Sequence, residues 1–174
     1  MDDAGREACG DGDGRIDAAE LPLRVGEALR RRVAFDEAVD SRGAERPDGT
    51  RLWDFEGPFA SDAERTFVRR GLDDAWFAEG FPGATYTLPL SAEDELRGVF
   101  EVTREAVLLR GIVSADDGPL RTELAYDPPA PVWRFPLEAG ASWERTSTVR
   151  GVSSGVASLY TETWRVAVDA RGAV

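Results

Sequence analysis

The chain has 174 residues, and its 33 acidic against 21 basic side chains give a net charge of −12 at pH 7. Nucleic-acid binding begins with phosphate neutralisation by a basic face, so this charge argues against a nucleic-acid partner. The chain also contains no His, Lys, Asn or Gln. Ser-His-Asp catalysis, His-ligated metals, Schiff-base chemistry and the P-loop lysine are thereby excluded, and we expect a non-enzymatic protein.

The sequence carries no targeting or membrane-spanning segment. No apolar run reaches the ~18 residues that a spanning helix needs. The first residues, Met1 to Gly5, are polar and lack the apolar centre of a signal peptide. We expect a secreted or envelope-associated protein whose leader is absent from these residues; a cytoplasmic location is the alternative.

Residues 1–21 form a segment rich in glycine and aspartate, with a candidate cation loop at residues 9–20. Calcium loops alternate oxygen ligands, turn sharply at a glycine and close with a carboxylate at their last position. Gly14 occupies the turn position. The candidate metal ligands are Asp11, Asp13, the backbone carbonyl of Arg15, Asp17 and Glu20.

This segment resembles the calcium loop of EF-hand and dockerin modules, and the resemblance implies calcium as a cofactor. Two departures weaken the match. Cys9 takes the first ligand position, where a thiol suits a hard cation poorly, and Pro22 stands where an EF-hand continues its second helix. We expect weak binding, with a dissociation constant of about 10⁻⁴–10⁻³ M. The alternatives are a solvated acidic linker and, for Cys9, a lipidated lipoprotein terminus.

Residues 22–174 are predicted to form a single β-rich domain. Short apolar runs alternate there with Gly, Pro and Asp, which is typical of many short strands. The predicted strands are Glu27–Phe35, Arg51–Glu56, Gly98–Thr103, Ala106–Val113, Leu120–Tyr126, Val132–Leu137, Ser142–Val149 and Gly155–Ala170. The fold class is therefore mainly β, an antiparallel sheet forming a sandwich or a curved half-barrel with little helix. The helix candidates are Ala18–Leu21, Asp62–Gly71, which also reads as a strand, and a short turn at Ser91–Leu96.

The clearest strand is Gly155–Ala170, because its apolar residues alternate. Tyr160 and Trp164 occupy even-numbered positions and so lie on one face of the predicted strand, where the polar Ser158 and Glu162 interrupt the apolar series. Alternation of this kind indicates one packed and one wet face. The strand lies close to the last residue given, Val174, so we expect that the natural chain continues or that this edge self-associates with another copy.

A proline-rich segment at residues 127–131 is predicted to be a stiff, extended connector that crosses between sheets. The two strands that follow it flank residues 138–141, whose Gly140 predicts a hairpin loop.

Aromatic and arginine side chains have structural and functional interpretations. The tryptophans at alternate strand positions are interpreted as core, and an exposed aromatic strip would instead favour sugar stacking. The arginines of residues 30–32 and 69–70 are predicted to pair with surface carboxylates rather than to bind phosphate.

The stretch Phe135–Trp143, followed by a long alternating strand, resembles secreted bacterial envelope proteins of the half-barrel lipoprotein-carrier type. The resemblance implies a curved antiparallel sheet around an apolar cavity. We expect an exported or envelope-associated binding or structural protein of unknown ligand. The alternatives are a carrier of an apolar, lipid-like ligand and a carbohydrate-binding or glycan-active domain.

Overall fold

The computed structural model of the chain describes residues 13–34, 37–38, 42–49, 51–52, 59–90 and 95–168. These residues are mainly β, with antiparallel sheets and two short 3₁₀ helices, Ala18–Glu20 and Ala78–Gly80, which confirms the predicted fold class. The strands are β1 (Ala28–Val33), β2 (Ala44–Glu45), β3 (Arg51–Leu52), β4 (Ala63–Val68), β5 (Tyr86–Pro89), β6 (Leu96–Val102), β7 (Ala106–Ser114), β8 (Glu123–Arg134), β9 (Ser142–Ser153) and β10 (Val156–Ala167).

The chain divides into two compact units, and the smaller one is Leu29–Phe67. In this unit β1 pairs with β4 and β2 with β3. Nε of Arg30 lies 3.1 Å from Oε1 of Glu64, and Nη1 of Arg32 lies 3.9 Å from Oδ2 of Asp62. Arg30 and Arg32 of the first arginine run thus pair with carboxylates, as expected, whereas the guanidinium of Arg31 lies 5.9 Å from the centre of the Phe67 ring. The ambiguous segment at Asp62–Gly71 contains a strand, β4.

The larger unit contains a six-stranded sheet in the order β5-β6-β7-β8-β9-β10, in which every strand pairs antiparallel with its neighbour in sequence. Four of these strands, β6, β7, β9 and β10, lie where the sequence predicts strands. Residues 91–94 of the turn proposed at Ser91–Leu96 and most of the strand proposed at Arg51–Glu56 lie outside the described residues.

Apolar side chains cover both faces of the middle of this sheet. The first cluster, whose side we name the inner face, contains Leu23, Tyr86, Phe100, Val107, Leu109, Leu124, Tyr126, Ala130 and Val149. The second cluster, on the outer face, contains Phe77, Phe81, Val99 and Val113. The β7–β8 register shifts between Leu109 and Gly111, and this irregularity moves the buried positions of β7 from one face to the other.

Arg69 does not follow the prediction that it pairs at the surface. Its side chain is 3% exposed, and its guanidinium lies 5.3 Å from the centre of the Tyr86 ring. The arginine stem and the aromatic ring bury each other, and the face of the ring attracts the cation. Arg69 therefore belongs to the wall of the inner core.

The proline-rich segment lies inside β8 and not between sheets, so the predicted crossover was wrong. Between the partners of Leu109 and Gly111, β8 inserts residues 126–129, which form a wide bulge. Proline has no N–H, so Pro128, Pro129 and Pro131 cannot donate to a neighbouring strand. The strand continues because its second half pairs with β7 through residues 130–134.

The same prolines separate β8 from β9. The two strands pair only from Glu123↔Val152 to Asp127↔Thr148, and β9 then continues with β10 as its partner. Residues 132–149 therefore do not form the simple hairpin that Gly140 suggested. Across the separation, the indole Nε1 of Trp143 donates to the carbonyl of Pro131 at 2.8 Å. This side-chain hydrogen bond thus connects β8 and β9 where their backbones no longer pair.

The close packing of β7 against Phe81 and β8 can be tested at Gly111. A Cβ at Gly111 would overlap the Phe81 ring and the carbonyl oxygen of Leu124, and the backbone oxygen cannot move away cheaply. We predict that Gly111→Ala destabilises the fold by about 3 kcal/mol. The matched control is Gly118→Ala, because nothing lies within 4 Å of a Cβ there, and it should change stability by less than ~0.5 kcal/mol. Urea unfolding midpoints measure both, and equal midpoints would contradict the packing.

Candidate functional site

The described part of the predicted calcium loop is held against the connection between β8 and β9. Ile16 exchanges two backbone hydrogen bonds with Leu137, at 3.2 and 2.9 Å, and Nε of Arg15 lies 2.6 Å from Oε1 of Glu138. Leu23 then enters the inner core. Residues 13–23 therefore pack against the β8–β9 connection.

Within this loop, the described carboxylates accept hydrogen bonds from nearby backbone. The N–H of Arg15 donates to Oδ1 of Asp13 at 2.7 Å, and the N–H of Asp17 donates to Oε2 of Glu20 at 2.6 Å. Gly14 has the positive φ, 93°, that a sharp turn requires.

Only some of the candidate calcium ligands lie among the described residues. Among the residues that the structure describes, no three His, Cys, Asp or Glu side chains are grouped to hold a metal ion. Cys9 and Asp11 lie outside those residues. Calcium binding at Asp13, Arg15, Asp17 and Glu20 stays a prediction.

A second candidate surface is the outer edge of β10. Val168 donates its N–H to Ala141 and accepts from Gly140, so this even-numbered residue directs its backbone toward the β9 side. Backbone groups alternate along a strand. The odd-numbered residues of β10 therefore direct their N–H and C=O groups away from β9, and in the described part of the chain no strand pairs there.

This edge lacks three of the features that usually prevent edge pairing, namely a short strand, a proline and a bulge. β10 has 12 residues and contains no proline, and its register with β9 runs without a shift from Val156 to Ala167. Val156, Leu159 and Tyr160 are 67%, 75% and 43% exposed. The opposite edge strand, β5, is partly covered because Thr87 exchanges two backbone hydrogen bonds with Arg70.

A third candidate lies on the inner face where β9 and β10 leave β8. We name it the inner-face cluster; it consists of Tyr126, Arg145, Ser147, Glu162 and Trp164. The register pairs Arg145 with Trp164 and Ser147 with Glu162, so that these two pairs occupy neighbouring positions on one face. The Tyr126 hydroxyl donates to Oε2 of Glu162 at 3.0 Å, and the Tyr126 and Trp164 rings meet edge-to-face with centroids 6.5 Å apart.

Three polar atoms of this cluster are buried without a hydrogen-bond partner. They are Nε of Arg145, Oγ of Ser147 and Nε1 of Trp164. Buried polar groups normally find a partner, because an unmade hydrogen bond leaves the desolvation cost uncompensated. Ser147 is 0% exposed. The cluster therefore has hydrogen-bonding capacity that the fold does not use.

A cavity of about 800 Å³ lies at the end of the sheet near the β7–β8 loop, where Glu95, Asp116, Leu120 and Arg121 contribute to its lining. Small and apolar residues line the rest, and no aromatic ring of the described residues lines it, unlike the aromatic-lined pocket that an apolar carrier needs. Within the described ranges, no helix has the length and apolar character to cross a membrane.

No protein-family model, curated protein or solved structure matches this chain.

The sequence identified the strand that carries the inner-face cluster but not the cluster itself. The visible signal was Glu162, a charged residue that interrupts the apolar parity of β10. Arg145 and Ser147 gave no signal, because only the β9–β10 register places them beside Glu162 and Trp164.

The buried hydroxyl of Tyr126 should make the folded state less stable at alkaline pH. Burial raises the pKa of Tyr126 above its ordinary value of 10.0, and the hydrogen bond to Glu162 and the charges of Glu162 and Tyr160 raise it further. The folded state thus favours the neutral phenol, so stability is complete below pH ~10 and is lost as the pH rises above it.

We predict that Tyr126→Phe flattens this alkaline decline. Urea unfolding of wild type and variant at pH ~8 and ~11 measures the effect, and the pH ~8 pair isolates the direct cost of the lost hydrogen bond. An unchanged decline in the variant would contradict the role of Tyr126.

Proposed function

We propose that this chain is a non-enzymatic structural or binding protein that assembles by pairing β10 with β10 of a second copy. The observation that carries the proposal is the regular edge of β10 with its outward backbone groups, which no strand of the described residues pairs. An antiparallel partner strand would satisfy these groups and would cover part of the exposed apolar surface of Val156, Leu159 and Tyr160.

A second copy fits this edge because the pairing can be symmetric. A two-fold axis perpendicular to the sheet generates antiparallel strands, and facing residues then lie on the same side of the sheet. They therefore share parity. The two registers with the longest overlap place Thr161 or Glu162 on the axis.

Charge selects between the two registers. With Glu162 on the axis, two carboxylates would stand directly opposite each other, which is destabilising. With Thr161 on the axis, Val156 faces Val166 and Leu159 faces Thr163 of the second copy, and Arg165 faces Ala157. The proposed dimer therefore has Thr161 on its axis.

Export, calcium binding and the two alternative functions each bear on a different part of the molecule. Export or association with an envelope would put the protein where the calcium loop at residues 9–20 meets millimolar calcium. The apolar-carrier alternative gains no support from the cavity at the β7–β8 loop, because no aromatic ring of the described residues lines it. The carbohydrate-binding alternative needs an exposed aromatic strip, and the polar atoms around Trp164 in the inner-face cluster are buried.

Sedimentation velocity tests the assembly. We predict a concentration-dependent dimer of the 18.9 kDa chain. Thr161→Pro removes an N–H that points away from β9, so it should weaken the dimer about ten-fold or more while the monomer stays folded. Thr161→Val keeps both the N–H and the β-branched side chain and should dimerise like wild type.

Disulfide trapping tests the register. In a Cys9→Ser background, Thr161→Cys should form a covalent dimer on oxidation, because facing Cα atoms lie about 5.5 Å apart. Thr163→Cys should not. A wild-type protein that stays monomeric at every concentration, or equal trapping of both cysteines, would overturn the proposal.

A further inference from the structure

The cavity of about 800 Å³ at the β7–β8 loop is an open cleft whose wall is held by hydrogen bonds. We name it the end cleft; Glu95 and residues 114–116 and 118–121 line it. The hydroxyl of Ser114 accepts from the N–H of Thr122 at 3.1 Å and donates to the carbonyl of Asp116 at 2.8 Å. The N–H of Ala115 donates to the carbonyl of Glu95 at 3.2 Å. These bonds fix the loop, so a ligand does not have to order it on binding.

One wall of the end cleft is apolar, because Ala115, Pro119 and Leu120 contribute to it. The side chain of Leu120 is 76% exposed. At the same end of the sheet, the exposed Leu96 stands opposite Ser114 in the β6–β7 register. Exposed apolar side chains that lie together mark binding surfaces, whereas isolated ones are ordinary. A ligand with methylene groups removes such a surface from water, and each buried methylene contributes to its affinity.

The charge of the end cleft is negative. Neither Glu95 nor Asp116 makes an ion pair with a basic side chain of the described residues. The basic residue of the lining, Arg121, is already engaged. Its Nη1 lies 3.2 Å from Oδ1 of Asp117, and its guanidinium lies 5.5 Å from the centre of the Trp76 ring. The net charge of −12 also attracts cations to the protein. Charge complementarity therefore selects a cationic ligand.

We propose that the end cleft binds a linear aliphatic diamine, a cation with an ammonium group at each end of a methylene chain. One ammonium lies at the carboxylate of Glu95 and the other at that of Asp116, and the chain between them lies against Leu120 and Pro119. A divalent metal ion fits less well, because it takes about six or more oxygen ligands and gains nothing from an apolar wall. No residue of β10 lines the cleft, so the site does not depend on the dimer proposed above.

Titration of ¹⁵N-labelled protein tests the class of ligand. Cadaverine, pentylamine, pentanediol and magnesium chloride are added separately at constant ionic strength, with the backbone amide signals of Ala115, Gly118 and Leu120 as the readout. We expect saturable shifts with cadaverine, at a dissociation constant of about 1 mM. Pentylamine carries one charge and should bind about three-fold more weakly. Pentanediol lacks charge and magnesium lacks the methylene chain, so both should bind at least about ten-fold more weakly.

Variants locate the site. Glu95→Gln and Asp116→Asn each remove one charge at nearly constant shape and should weaken cadaverine binding about three-fold or more. Leu120→Ser removes part of the apolar wall and should also weaken it. All three side chains are exposed, so the urea midpoint should not change. The matched control is Glu105→Gln, because this exposed carboxylate lies at the other end of β7 and its loss changes the net charge equally. It should bind like wild type.

Three results would overturn the proposal. The first is the absence of any saturable shift with cadaverine. The second is equal affinity for magnesium or pentanediol, which would leave only counterion attraction or only an apolar surface. The third is wild-type affinity in both Glu95→Gln and Asp116→Asn, or an equal loss in Glu105→Gln. Thr161→Pro should bind cadaverine like wild type whether or not the wild-type chain dimerises, so a failure of this site and a failure of the dimer are measured separately.

Discussion

The absence of N–H groups in the proline segment of β8 is the constraint on which the rest of the sheet depends. Pro128, Pro129 and Pro131 cannot donate to β9, so the ladder between the strands ends at Asp127. The first half of β9 is left with β10 as its partner, and Trp143 spans the gap through one indole hydrogen bond. The separation places the inner face of β9 and β10 at the margin of the core, where polar side chains are tolerated.

The fold was largely predictable because antiparallel strands with one wet face have a two-residue period. That period located β10, and β6, β7 and β9 were predicted from short apolar runs bounded by Gly, Pro and Asp. The proline segment was misinterpreted because the chemistry of proline shows which hydrogen bonds are missing but not which side of the strand still pairs. Leu108 and Leu109 of β7 supply the partner that keeps residues 130–131 in the sheet.

The candidate site was less predictable than the fold, because it depends on register. A sequence shows that Glu162 breaks an apolar face, but not that Ser147 lies opposite it or that Tyr126 donates to it. An edge at β10 was expected because it is the last predicted strand, and no strand of the described residues pairs with its outer side. Which backbone groups point outward followed only from the bonds of Val168.

Amide hydrogen exchange measured by NMR tests the separation of β8 from β9 most directly. The even-numbered amides of β9 point toward β8, so Thr148 and Arg150 should be protected, and Glu144 and Thr146 beyond the gap should exchange at least about a hundred-fold faster. Arg145 and Ser147 point toward β10 and should be protected. Equal protection of Thr146 and Thr148 would show a continuous ladder and would contradict the account.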